Sequence, residues 1–163
     1  MQRGSHPTYQ QGLGAIGRYL DQHGYEDLVL CELGDGFVGR VVLNGRLVEA
    51  IPFSVNDLNR MIRMAAEETG RLRQSPPLAP NPDGSFMRRT VGGYRDFLSA
   101  LGRQCDWLEA SSVLLVELPE AMLVTYRKPA GSPDASQMSN YEYLYDESGI
   151  RQLMMGNTSG LRP

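Results

Sequence analysis

Lysine occurs once and histidine twice in these 163 residues, alongside two cysteines and one tryptophan. Two cysteines cannot make a disulfide framework, and their spacing is not that of a metal site. With only His6 and His23 available, there is little material for imidazole-based catalysis. No apolar run approaches the ~20 residues that a membrane-spanning helix needs. The first seven residues lack the apolar stretch of a secretory signal, so a cytoplasmic protein with no membrane association is expected. The net charge of −3 counts against a general attraction to nucleic acid.

Known chemical motifs are equally scarce. Gly12, Gly14 and Gly17 spell a G-x-G-x-x-G string. That string binds dinucleotides only where it follows a strand and opens a helix, and here it falls inside the first helical pattern. No nucleophile, base and orienting group can be named together. The expectation is therefore a chain with no catalytic residues, no cofactor and no metal. Cys31 and Cys105 read as reduced core thiols, and His23 as a surface residue near a helix C-terminus.

What the chain does contain is a repeat. Residues 9–43 align without a gap on residues 94–128, at an offset of 85. Nine pairs are identical, among them Tyr9/Tyr94, Gly17/Gly102, Asp21/Asp106 and Glu32/Glu117. The hydrophobic periods agree as well. Tyr9, Leu13, Ile16 and Leu20 form a helical stripe, matched by Tyr94, Leu98, Leu101 and Cys105. Thr8 is a natural N-cap for the first helix, which should end near Gly24. Gly17 and Gly102 flank the stripes and imply close packing of each helix on its sheet. The runs Leu28–Leu33 and Val113–Leu118 are apolar on both faces, which predicts strands inside a sheet. Second strands follow at 37–43 and 122–126. Asn44-Gly45 is a strong hairpin signal leading to a third strand, Arg46 to Phe53. Its counterpart is 141–145, reached through a longer loop. Ser54 and Asp57 resemble a capping box for a helix ending near Gly70, and a shorter helix carries Ile150, Leu153 and Met154.

The fold expected is α+β. An internally duplicated α-β-β-β-α unit supplies antiparallel sheets covered by helices, with pseudo-twofold symmetry. Its parts are a flexible N-terminus (1–8), a first unit (9–73), a Pro-rich linker (74–90), a second unit (91–156) and a flexible tail (157–163), all in one globular domain. The element order resembles that of small secretion-chaperone-like α+β folds. No motif accompanies the likeness, so no residue role is carried across.

Three surface features invite a functional reading. Glu32 and Glu117 hold equivalent places, and a twofold relation can bring such carboxylates together; the plainer alternative is a strand end or a local arginine partner. Tyr141, Tyr143 and Tyr145 share one strand face, and matching to Ile51 and Phe53 makes them core. Eight arginines against four acids lie in 58–104. Within that segment Arg71, Arg73, Phe86, Met87, Arg88 and Arg89 are the candidate partner-binding residues, an exposed linker bearing apolar and guanidinium groups. The leading expectation is a non-catalytic protein-interaction module, an adaptor, assembly factor or chaperone-like protein that binds an unidentified protein or itself as a homodimer. The alternatives are a small-molecule sensor with a pocket between the two repeats and nucleic-acid binding through 60–103.

Overall fold

Thr8 opens the first helix as its pattern predicts. Its hydroxyl accepts from the Gln11 N–H, and the Gln11 side chain accepts from the Thr8 N–H, so two otherwise orphaned donors are satisfied reciprocally. This helix, α1 (Tyr9–His23), closes on Gly24 at φ 70°, a left-handed position that glycine takes without steric cost. The computed structural model describes residues 6–72, 78–129 and 138–156, with 68–72, 129 and 138 as backbone only. Residues 1–5 of the expected flexible N-terminus, the expected tail, the loop at 130–137 and Arg73 lie outside the described residues, whereas Pro7, expected in the flexible lead-in, is buried.

After α1 come three antiparallel strands, β1 (Glu26–Leu33), β2 (Gly36–Leu43) and β3 (Arg46–Phe53), and then α2 (Val55–Leu72). Asn44 and Gly45 both have positive φ, 52° and 77°, as a two-residue hairpin whose twist matches its strands requires. Ser54 and Asp57 exchange hydrogen bonds at the start of α2. A short helix, α3 (Phe86–Thr90), precedes α4 (Arg95–Leu108), β4 (Ser112–Glu117), β5 (Met122–Pro129), β6 (Met138–Tyr145) and α5 (Glu147–Met154). The linker was expected to have no regular structure; α3 stands in its last part, with Phe86 and Met87 buried.

All six strands form one antiparallel sheet in the order β3-β2-β1-β4-β5-β6. The join is between β1 and β4, where Val29, Leu30 and Cys31 pair with Val116, Leu115 and Leu114. The doubly apolar runs are therefore central, as expected. The core lies on one side of the sheet. Leu28, Leu30, Leu115, Val124 and Tyr126 point from the strands toward Leu13, Ile16, Leu98 and Leu101 of α1 and α4, all essentially inaccessible to water. No helix among the described residues is long and apolar enough to cross a membrane.

Helices α1 and α4 lie antiparallel, and each supplies the other's cap. Asp106 accepts from the N–H groups of Tyr9 and Gln10 at 2.9 and 3.1 Å. Asp21 accepts from those of Tyr94 and Arg95 at 2.8 and 3.1 Å. A carboxylate there meets both orphaned donors and the positive end of the helix dipole. The helices touch where side chains are missing. A Cβ on Gly17 would stand 2.8 Å from Arg95 Cα, and one on Gly102 would stand 2.6 Å from Gln10 Cα. The glycines thus serve helix against helix, whereas the sequence suggested helix against sheet. Asp106→Ala is expected to cost about 1–2 kcal/mol through loss of its cap, read from the urea midpoint. Asp106→Asn, which keeps an acceptor, should recover most of that.

Candidate functional site

Glu32 and Glu117 both reach the helix-covered side of the sheet, but they do not meet. Antiparallel pairing of β1 with β4 sets Glu117 beside Leu28 and turns Glu32 toward Val113. The two carboxylates therefore lie four residues apart along the ladder, about 13 Å. No group of three or more metal-ligating side chains occurs among the described residues. The expectation that a twofold relation brings the acids together is corrected by strand direction. Neither pairs with Arg40 or Arg127.

Each instead accepts from a tyrosine of its own half. Tyr9 Oη donates to Glu32 Oε1 at 2.8 Å, and Tyr94 Oη donates to Glu117 Oε1. Burial, and then the adjacent carboxylate, hold both phenols well above their ordinary pKa, so they remain donors. Glu117 does more than its counterpart. The same Oε1 accepts from Leu28 N–H at 2.9 Å, and Oε2 accepts from Met87 N–H at 2.8 Å. With Glu26, which accepts from Ser85 N–H at 2.9 Å, it seats the first turn of α3 on the end of the sheet.

Burial pushes the Glu32 carboxyl above its ordinary value of 4.5, against the opposing pull of the Tyr9 hydroxyl and the Val113 N–H. The unfolded chain then releases this proton before the folded one. The Glu32 contribution is full below 4.5 and is lost as pH rises through the raised folded value. The expected outcome is that wild type loses stability relative to Glu32→Gln over that window. Urea midpoints of both proteins across mildly acidic to neutral pH check the sign.

Three arginines of the segment are engaged. Arg89 donates to Gly84 O and Pro119 O and lies 3.6 Å from Glu120. Arg60 pairs with Asp57, and Arg95 with Asp96. Arg88 is half-buried. Phe86 and Met87, read from sequence as exposed linker groups, are core residues at 3% and 0% exposure. Arg71 lies at the end of α2, where only backbone is described. The six candidates therefore do not form one described surface. A cleft of about 340 Å³ lies beside Phe86, Arg89, Glu120 and Asp146. It sits at the α3–α5 end, within the second half.

The tyrosine ladder faces the covered side, as expected. Tyr145 is buried and shares a 2.8 Å hydrogen bond with Tyr126, while Tyr141 and Tyr143 are half-buried. His23 is exposed and rests against Tyr19 and Tyr25.

The opposite side of the sheet is the feature that the sequence reading missed. Pairing partners share a face, so Val29, Cys31, Val38, Leu114, Val116 and Leu123 all point away from the helices. Leu33 and Leu144 join them at 60% and 64% exposure, and Leu114 is 38% exposed. Of the nine large apolar side chains exposed among the described residues, five (Leu33, Leu47, Leu114, Leu118 and Leu144) carry this strand parity. Single exposed leucines are ordinary, whereas a contiguous patch marks an interaction surface. Cys31, expected in the core, is half-buried on this face. Cys105 is a buried residue of α4, on the other side of the sheet. No family model matches the chain, and neither a curated protein nor a solved structure matches it.

Proposed function

We propose that this chain is a non-catalytic protein-interaction module, and that the bare face of its sheet is the working surface. The observation that carries the reading is the central apolar patch of Val29, Cys31, Leu114 and Val116, extended by Leu123 and Leu144. An antiparallel sheet with one solvated face normally alternates apolar inward and polar outward. Here the outward positions of the central strands are apolar too. The titratable groups inside the fold are engaged in holding it together, with Asp21 and Asp106 capping helices, Glu117 seating α3 and the tyrosines donating to carboxylates.

We infer also that the framework is an internal duplication with a pseudo-twofold axis between β1 and β4. Reciprocity supports this. Tyr9, Gly17, Asp21 and Glu32 make in one direction the contacts that Tyr94, Gly102, Asp106 and Glu117 make in the other. The reading belongs to a reducing cytoplasm, in keeping with two thiols on opposite sides of the sheet.

Leu114→Glu and Leu144→Glu test the surface. At dilution, each is expected to leave the urea midpoint within ~0.5 kcal/mol of wild type, as for surface positions. Each should also reduce binding of a hydrophobic fluorescent dye to the native chain. Loss of several kcal/mol, with no dye bound by wild type, would show that the face is interior and end the reading.

A further inference from the structure

We propose that the occupant of this face is a second copy of the chain, packed sheet on sheet about a twofold axis that runs parallel to the strands between β1 and β4. The inference rests on the interaction-module reading above.

Area is the first argument. Six strands at ~4.8 Å spacing and about 6–8 residues at ~3.4 Å give a face of roughly 590–780 Å². A standard interface buries about 800 Å² per partner, so the face is the size that a stable dimer requires. Two such faces pack about 10 Å apart when aligned.

Charge is the second, and it selects both the partner and the axis. The middle of the face is apolar and its margin carries both signs. Arg40 on β2 and Arg127 on β5 are exposed, as are Glu142 on β6 and Asp35 in the β1–β2 turn. Asp35 lies 3.7 Å from His6, yet its side chain stays 84% exposed. A polyanion or an anionic membrane would select a single positive sign, whereas a mixed margin suits a self-complementary, isologous contact.

The register fixes what meets what. Cys31, Val38 and Pro52 share a row with Leu114, Thr125 and Glu142, while Arg40 and Val29 share the next with Val116, Leu123 and Leu144. Rotation about an axis parallel to the strands lays Val29 on Val116 of the second copy and Cys31 on its Leu114. It brings Glu142 over Pro52, one strand and two residues from Arg40. That is about 8 Å in the plane, within the combined reach of the two side chains. It also sets Arg127 over Gly36, next to Asp35. An axis across the strands instead lays Arg40 on Val38 and Glu142 on Leu144, so no opposite charges meet.

Sedimentation equilibrium on the intact chain and three variants tests the proposal, with urea midpoints confirming that each variant folds. Wild type is expected to dimerise. Leu144→Glu and Arg40→Glu are each expected to weaken the dimer by about tenfold or more, and Arg40→Glu combined with Glu142→Arg to return it to within ~3-fold of wild type. The proposal is overturned by a chain that stays monomeric at ~100 μM, by a dimer indifferent to Leu144→Glu, or by a charge-swapped pair as weak as Arg40→Glu alone. A monomer that binds the hydrophobic dye overturns the second copy and leaves the module reading in place. A monomer that binds none overturns both.

Discussion

Gly102→Ala is expected to lower the folding free energy by about 2–3 kcal/mol, although alanine is the better helix former by about 1 kcal/mol. The added methyl would stand 2.6 Å from Gln10 Cα and closer still to the Tyr9 carbonyl oxygen. Those are backbone atoms, so relief requires α1 to move off α4. That movement would also loosen the Asp106 cap on Tyr9 and Gln10. Gly17→Ala meets Arg95 and Tyr94 backbone at 2.8–3.0 Å and should cost a similar amount. The two contacts are seven residues apart along the helix pair, about 10 Å, so the double variant should lose roughly 4 kcal/mol or more. That is a large part of the stability of an ordinary domain. Gly14→Ala is the control. Its methyl would lie 3.6 Å from Ser99 Cβ, an ordinary contact, so stability should rise by up to ~1 kcal/mol. Urea denaturation of the three single variants settles the sign of each.

Glu117→Ala is expected to be the most damaging single change, at about 3–5 kcal/mol. It strands the Leu28 N–H and the Met87 N–H and leaves the Tyr94 hydroxyl only its 3.3 Å contact with Ser85 Oγ, and each part-buried donor left unmet costs about 1–3 kcal/mol. Glu32→Ala removes the Tyr9 hydroxyl's acceptor and the Val113 interaction and should cost less. Hydrogen exchange gives a second readout. The Met87 amide should lose protection in Glu117→Ala and keep it in Glu32→Ala, because its N–H donates to Glu117 and not to Glu32. If both variants lose equal stability and Met87 is unaffected, Glu117 does not seat that helix.

Much of this framework was legible in the sequence, for reasons that can be named. Thr8, Ser54 and Asp57 act on neighbours within three residues, so their caps follow from local spacing. Asn44 and Gly45 fix a turn through backbone preferences of their own. The third strand begins and ends as read, at Arg46 and Phe53. By contrast, α3 has only five residues, and the carboxylates that hold it come from Glu26 and Glu117, distant in the chain. No local pattern announces such a helix. Glu32 and Glu117 align in the sequence, but alignment says nothing of distance until the direction of β1 against β4 is known. The bare face was hidden for a related reason. A strand apolar on both sides looks the same whether its second face meets helices or another molecule. Val29, Cys31 and Val116 read as core until the helices are seen to cover only one side.

Whether two such faces pair is read from the molar mass of the unmodified chain. Sedimentation equilibrium between ~1 and ~100 μM should show the mass rising toward twice the 18.1 kDa of one chain. A mass that stays at 18.1 kDa across the whole range would rule out the sheet-on-sheet dimer.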